Sequence, residues 1–273
     1  MRQLILVLLV SAFLHCGNAG KDGQKSGSIK NLNIVQGDTS LKSIHVFVAL
    51  CDNKYQGIVP VNSKIGNGQD PDNNLYWGWA YGVKSYFKKS KNWIFLASRK
   101  STAPLLERIV YKHKTEKQYL IADAYDGQYM KNCINDFLSS LSGQAKDTII
   151  INNNTIVGTK GNAQLVAFVG HNGLMDFKLD SAYNNYDGKE RKAIILACLS
   201  KKYFSYYLRK AGAYPLLWTS NLMGPEAYTL HDAITGYINN ETDENIRERA
   251  ATIYSTYTKC SQKAAKGLLV TGW

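Results

Sequence analysis

Continuous apolar runs of strand length constrain the fold of this chain more than any other feature. Three of them are Val46–Leu50, Leu165–Val169 and Ala193–Ala197. A strand with one solvated face alternates apolar and polar residues, whereas a continuous run is typical of parallel sheets that helices cover on both faces. The runs therefore predict a mostly parallel central sheet.

Segments of helical pattern alternate with these strands. The predicted strands are Ile44–Leu50, Trp93–Ala97, Tyr119–Ala122, Thr148–Ile151, Leu165–Val169, Ala193–Ala197 and Pro215–Thr219. The predicted helices are Asn74–Lys88, Gly127–Leu141, Leu199–Ala211, Glu226–Tyr237 and Glu244–Ala265. This alternation predicts an α/β domain with a mostly parallel central sheet and helices on both faces. An alternative for Ile149–Thr159 is a hairpin that turns at its run of asparagines.

The amino terminus predicts export. Arg2 supplies a positive charge ahead of an apolar run, Leu4–Leu14, of about eleven residues, which suits a secretion signal. The run is shorter than the roughly 20 residues that span a bilayer. Cleavage after Ala19 satisfies the small-residue rule. Cleavage before Cys16, with a lipid on that thiol, is the alternative, and a membrane association is expected only in that case.

These boundaries divide the chain into three parts. Residues 1–19 are the predicted signal peptide, and residues 20–43 are a Gly-, Ser- and Lys-rich lead-in or tether. Residues 44–273 are long enough for one α/β domain. We expect the mature protein to be periplasmic, at the cell surface or secreted.

Basic residues outnumber acidic ones, 33 to 21, for a formal charge of +12. Such a charge draws a protein toward anionic surfaces, which for an exported protein include lipid headgroups, cell-wall polymers and acidic polysaccharide. The basic residues are scattered and no nucleic-acid-binding motif is present, so we predict a solvated basic surface and no nucleic-acid partner.

Four cysteines remain after cleavage at Ala19: Cys51, Cys133, Cys198 and Cys260. An even number in an oxidising compartment permits two disulfides, although the spacings follow no disulfide-scaffold pattern. Whether Cys198 stays free depends on the pairing of the other three.

Two of the predicted strands end in residues that can carry chemistry. Leu165–Val169 leads into Gly-His171-Asn-Gly, and Ala193–Ala197 leads into Cys198. Ligands of open α/β sheets bind at the carboxyl ends of the strands, and neighbouring strands lie about 4.8 Å apart. An imidazole beside a thiol can take its proton, and a helix that starts after Cys198 favours the thiolate. The two strand ends therefore predict a cysteine nucleophile with a histidine base.

An apolar strand that ends in His, followed by a strand that ends in Ala-Cys, resembles the signature of the caspase-like cysteine peptidases, which include caspases, metacaspases, legumain, clostripain and gingipain. The likeness covers residues 44–237 in strand–helix order, and its specific motifs are these two stretches. Leu216–Gly224 is similar to the next strand and its functional loop. The resemblance implies a caspase-like fold, with His171 as general base or acid and Cys198 as nucleophile.

The resemblance also implies hydrolysis of a peptide or protein substrate without a metal or organic cofactor. Asn172 stands where the family has a Gly that helps to form the oxyanion hole, so backbone N–H groups of Asn172 and Gly173 are the expected donors. Among acids near the strand edges, Asp52 and Asp70 are candidates for a substrate pocket that selects a basic side chain; Asp126 and Asp176 are further candidates.

Other interpretations stay open. Cys198, His231 and Asn239 follow the Cys-His-Asn order of papain-like enzymes, at a spacing far shorter than the roughly 130–150 residues of that family. Gly66–Asn73 is superficially like a calcium loop but lacks its final Glu. A non-catalytic exported binding or surface protein could use the aromatic segment Leu75–Tyr81 and the basic surface.

Overall fold

An eight-stranded mixed sheet forms the centre of the computed structural model, which describes residues 41–152 and 155–273. The predicted signal peptide, Cys16 and nearly all of the predicted lead-in lie outside the described residues. The strands are β1 (Lys42–Ala49), β2 (Trp93–Lys100), β3 (Leu105–His113), β4 (Gln118–Tyr125), β5 (Lys146–Ile151), β6 (Thr155–Lys160), β7 (Leu165–Val169), β8 (Lys192–Leu196), β9 (Tyr214–Thr219) and β10 (Leu269–Val270). The helices are α1 (Val83–Lys89), α2 (Met130–Leu141), α3 (Ser200–Ala211), α4 (Ala227–Ile238), α5 (Asp243–Thr258) and α6 (Gln262–Leu268).

The strand order is β10-β9-β8-β7-β1-β4-β3-β2. The five central strands, which are β9, β8, β7, β1 and β4 in spatial order, pair in parallel. The outer strands pair antiparallel: β10 flanks β9 on one side, and β3 and β2 follow β4 on the other. After β1 the chain builds β4 on one side of it and then returns to place β7 on the other. The predicted α/β class with a mostly parallel sheet is therefore confirmed.

Helices cover both faces of the sheet. Val46 and Val48 of β1 face a core that α1, α4 and α5 complete, whereas Phe47 and Ala49 face a core formed with α2 and α3. Both faces are buried, which explains why β1, β7 and β8 contain the continuous apolar runs 46–49, Leu165–Val169 and 193–196 rather than alternating patterns.

Two predicted helices differ from the structure. The segment predicted as Asn74–Lys88 is helical only over α1, because the chain turns tightly before it: a Cβ atom on Gly82 would lie 2.4 Å from backbone atoms of Trp77. The helix predicted over Glu244–Ala265 is two helices. Lys259 takes a left-handed conformation (φ 61°) that ends α5, and the Ser261 hydroxyl accepts a hydrogen bond from the amide of Ala264 to begin α6.

Strand β3 was not predicted, since charged residues interrupt its apolar pattern. Glu107 and Arg108 lie in its middle and make buried or half-buried ion pairs that the sequence does not reveal. The alternative of a hairpin over Ile149–Thr159 is confirmed, because β5 and β6 pair antiparallel as a separate two-stranded sheet.

A buried ionic cluster ties β1, β3 and β4 together. Asp123 of β4 accepts two hydrogen bonds from the Arg108 guanidinium, both 2.7 Å long, and its carboxylate lies 3.0 Å from Nε2 of His45. The His45 Nδ1 atom accepts the amide hydrogen of Lys160, at 2.7 Å. Burial opposes ionisation of Asp123, but Arg108 and His45 outweigh it and lower the pKa to about 2. The cluster therefore stabilises the charged form of Asp123.

We predict that Asp123→Asn lowers the free energy of unfolding by about 3–5 kcal/mol at neutral pH, because it leaves a half-buried guanidinium without its counter-ion. The pKa of an unfolded Asp is about 3.9, higher than in the folded protein, so this stabilisation is complete above about pH 4 and is lost as the pH falls toward 2. Urea unfolding at several pH values measures both effects. Asp180→Asn is the matched control, since its side chain is 93% exposed; an equal loss in both variants would contradict the assignment.

Candidate active site

His171 and Cys198 lie at the same edge of the sheet, at the ends of neighbouring strands. β7 and β8 are paired in parallel with Val169 opposite Leu196, and each candidate residue follows two positions later. Gly170 extends the ladder through its amide to Leu196 O and takes a φ of 150°. A Cβ at this position would lie 2.8 Å from the carbonyl oxygen of Ala49, so the close approach to β1 requires glycine.

His171 is paired with Asp176. The Nε2 atom of His171 lies 2.7 Å from Oδ2 of Asp176, which follows a short 3-10 turn over Gly173–Met175. The imidazole is buried, at 7% exposed, whereas the carboxylate is partly open to solvent. A carboxylate on one ring nitrogen fixes the orientation and tautomer of the imidazole and leaves the other, Nδ1, for proton exchange. The sequence had suggested Asp176 only as a substrate-selecting acid.

Cys198 lies in the sharp turn between β8 and α3. Its Sγ atom lies 3.4 Å from the amide nitrogen of Met223 and 3.6 Å from the carbonyl oxygen of the same residue. Leu199, directly after it, is left-handed with a φ of 53°, a conformation that costs a non-glycine residue about 1 kcal/mol or more. The hydroxyl of Ser200 donates to Ile195 O and its amide donates to Thr219 Oγ1, and these bonds hold the turn.

No hydrogen bond joins the His171 and Cys198 side chains in the part of the chain that the structure describes. The imidazole contacts Asp176 and the sulfur contacts the backbone of Met223. In the absence of substrate, hydrogen bonds between catalytic groups are often long and tighten only in the complex. The pairing of β7 with β8 places His171 and Cys198 at one edge of the sheet, but their side chains do not form a hydrogen bond with each other.

Asn172 is a clamp between the two strand ends. Its side chain is fully buried; Nδ2 donates to the carbonyl oxygen of Cys198 at 2.6 Å, and Oδ1 accepts from the amide of Leu174 at 3.1 Å. The amide of Gly173 donates to the carbonyl oxygen of His171. The oxyanion role expected for the backbone of Asn172 and Gly173 stays a prediction, and the Gly173 amide must change partner to fulfil it.

The four described thiols are all free. Cys51 and Cys133 are fully buried, and burial raises the pKa of Cys51 to about 11 and that of Cys133 well above its usual range. Cys198 and Cys260 are only partly buried. Among the described thiols, Cys198 is therefore the partly exposed one that lies at the carboxyl edge of a central strand.

Tyr76 packs beside two of these thiols. Its ring is nearly buried, and burial first, then the proximity of Cys51 and Cys198, raises the pKa of its phenol well above 10. The aromatic segment Leu75–Tyr81 therefore divides in two. Tyr76 and Trp77 belong to the core, while Trp79 and Tyr81 are 42% and 40% exposed.

The acids proposed for a substrate pocket make internal contacts. Asp52 is 2% exposed; it accepts from the amides of Lys54 and Tyr55 and from the side-chain amide of Gln69. Asp126 shares the same Gln69 amide. Asp70 binds the side chain and amide of Asn73. These bonds brace the loops that follow β1 and β4, and the role of Asp52 and Asp70 in substrate selection stays a prediction.

The structure separates the residues of the papain-like alternative. His231 lies on α4, where its Nε2 atom is 2.9 Å from the hydroxyl of Ser90, just before β2. β2 runs parallel to β1, so its beginning lies at the sheet edge opposite to Cys198. Within residues 41–152 and 155–273, no group of three or more His, Cys, Asp or Glu side chains is placed to hold a metal ion.

Comparison with known proteins returned no match to a family model, a curated protein sequence or a solved structure. None of the helices over the described ranges has both the length and the apolar character needed to cross a bilayer. The interpretation of the site therefore depends on its own geometry.

We predict that iodoacetamide modifies Cys198 and Cys260 in the native protein and spares Cys51 and Cys133. At pH 7.5 a thiol with a pKa of about 11 is ionised in fewer than roughly one molecule in a thousand, and both protected thiols are inaccessible. Peptide mapping by mass spectrometry measures the four rates, with the urea-unfolded protein as the control for full reactivity. Native labelling of Cys133 as fast as Cys198 would contradict the packing of α2 on the sheet.

Proposed function

We propose that this chain is an exported, caspase-like cysteine peptidase in which Cys198 is the nucleophile and His171 the general acid and base. The proposal extends the family resemblance with one residue, Asp176, as the group that orients the imidazole. The mature enzyme would act outside the cytoplasm, after removal of residues 1–19. It would hydrolyse peptide bonds without a metal or organic cofactor.

The observation that carries the proposal is the register of β7 and β8. A histidine and a partly exposed cysteine stand at equal positions beyond two adjacent parallel strands, where ligands of such sheets bind. A carboxylate 2.7 Å from the histidine completes the order nucleophile, base and orienting group.

A backbone amide and the start of a helix lie close to the sulfur of Cys198. The amide of Met223 lies 3.4 Å from the sulfur and can donate to it. The amino terminus of α3 begins at Ser200, two residues on, and its dipole favours a negative charge nearby. The loop that follows β9, predicted from the resemblance as functional, supplies the Met223 amide.

In the proposed reaction, His171 takes the proton of the Cys198 thiol, and the thiolate attacks the substrate carbonyl carbon to form a C–S bond. The tetrahedral intermediate then breaks its C–N bond, and His171 gives the proton to the departing amine. Water, deprotonated by His171, attacks the thioester; the C–S bond breaks and the thiol is restored. Asp176 keeps Nε2 protonated and stabilises the imidazolium in both halves, as the carboxylate of a Ser-His-Asp triad does.

We predict that Cys198→Ala and His171→Ala abolish cleavage of a mixed peptide library, read out by mass spectrometry. Asp176→Asn lowers kcat/KM by about 10²- to 10⁴-fold, because the amide fixes the wrong tautomer of the ring. Asp180→Asn, four residues away and exposed, is the matched control and keeps full activity. His171→Ala also slows iodoacetamide labelling of Cys198 at pH 7 by about tenfold, since the thiol loses its base.

Equal labelling of Cys198 in the parent protein and in His171→Ala would contradict the catalytic pair. If cleavage is also absent, the result would favour the alternative of a non-catalytic exported binding or surface protein. Circular dichroism of each variant separates a lost function from a lost fold.

A further inference from the structure

A second concave site lies away from the candidate active site. It is a cavity of about 390 Å³ between the segment before α1, the end of α1, α4 and the end of α5. We call it the tyrosine–lysine cavity; its lining residues include Tyr81, Tyr86, Lys89, Lys91, His231 and Tyr257. Its volume falls within the roughly 300–1,000 Å³ of small-molecule sites.

Three tyrosines form a supported wall of this cavity. The ring of Tyr257 is stacked on the buried Tyr228, with centroids 4.4 Å apart and planes 5° apart. Tyr81 and Tyr86 meet the same ring edge to face, at 5.0 and 6.4 Å. Tyr81 and Tyr257 are nevertheless 40% and 38% exposed. Rings that are held in place and still accessible can receive the apolar face of a ligand at little entropic cost.

The charged side chains that line the cavity are basic, and the nearest acid is Asp232, whose carboxylate lies 3.4 Å from Nδ1 of His231. Lys89 and Lys91 are exposed, and neither forms an ion pair with any residue that the structure describes. None of the described lining residues is acidic. Ser90, Asn92 and His231 add hydrogen-bonding groups to the lining, and the Ser90 hydroxyl lies 2.9 Å from Nε2 of His231. The cavity therefore suits a ligand that combines a ring, hydroxyl groups and a negative charge.

We propose that the tyrosine–lysine cavity binds an acidic sugar unit, a pyranose that bears a carboxylate or sulfate, as found in acidic polysaccharides. The C–H face of the sugar would pack on Tyr81 and Tyr257. Its anionic group would pair with Lys89 and Lys91, and its hydroxyls would bond to Asn92 and the tyrosine hydroxyls. A cationic ring is excluded by the two lysines, and a purely aliphatic ligand would leave the polar lining unpaired.

The cavity shares no residue with the candidate active site. Ser90, Lys91 and Asn92 directly precede β2, and β2 is parallel to β1, so these residues lie at the edge of the sheet opposite to His171 and Cys198. A saccharide held there would leave the catalytic edge open. Binding therefore does not depend on the proposed peptidase activity, and each can be tested without the other.

The experiment is isothermal titration calorimetry of residues 20–273, the predicted mature chain, with a galacturonate tetrasaccharide. The neutral maltotetraose is the ligand control, and sodium sulfate is the bare-anion control. We expect the galacturonate to bind and both controls to bind at least about tenfold more weakly. Maltotetraose lacks the anionic group, and sulfate lacks the sugar ring. Lys89→Gln/Lys91→Gln weakens galacturonate binding by about tenfold or more, the loss of one charge-assisted hydrogen bond at least. Tyr81→Ala also weakens it.

Lys210→Gln/Lys263→Gln is the matched control, since it removes the same charge from exposed lysines of α3 and α6 and should leave the affinity unchanged. Equal weakening by both double variants would overturn the proposal, since it would reduce binding to the net charge of the protein. Sulfate that binds as tightly as the tetrasaccharide, or no heat with galacturonate, would also overturn it. Unchanged labelling of Cys198 in every variant shows that the fold and the candidate active site are intact.

Discussion

The position of β1 between β4 and β7 is the constraint on which the rest of the structure depends. The chain leaves β1 to build one half of the sheet and returns to build the other, so the loops that follow β1 and β7 diverge to opposite faces. Such a change of direction opens a crevice at the carboxyl edge of a parallel sheet. Gly170 allows the end of β7 to approach β1 closely, because only a residue without a side chain fits against the carbonyl oxygen of Ala49. The candidate catalytic residues lie at this edge for a topological reason.

Local turns and hydrogen bonds hold the side chains of His171 and Cys198 at the carboxyl edge. Asp176 reaches His171 because a single 3-10 turn folds the chain back within five residues. The left-handed Leu199 turns the chain directly after Cys198, and the hydroxyl of Thr219 on β9 supports the turn. Asn172 ties the two loops by a hydrogen bond to the carbonyl of Cys198. These bonds restrict the conformations that the two loops can adopt.

The two ends of the sheet differ in character. The carboxyl edge contains the partly exposed thiol of Cys198 and the loops after β1 and β4, in which Asp52 and Asp126 accept hydrogen bonds from Gln69. The amino edge contains Lys91 and Asn92 of the tyrosine–lysine cavity, which directly precede β2. If both proposals hold, a basic exported protein would attach to an acidic polymer through one end and cut peptides at the other. The charge of +12 would then serve localisation rather than chemistry.

The sequence by itself determined the α/β class, because strands buried on both faces are apolar at consecutive positions, as β7 is throughout and as β1 and β8 are over residues 46–49 and 193–196. It also determined that a histidine and a cysteine end two such strands. It missed β3, whose charges are neutralised only by β4 and Lys84, and it joined α5 to α6 across a left-handed lysine that no local pattern marks. Only the tertiary structure decided that β7 and β8 are neighbours, that Asp176 pairs with His171 and that Asn172 bonds to the carbonyl of Cys198. These are contacts between side chains and distant backbone, and their geometry depends on strand order, which no periodicity in a single chain encodes.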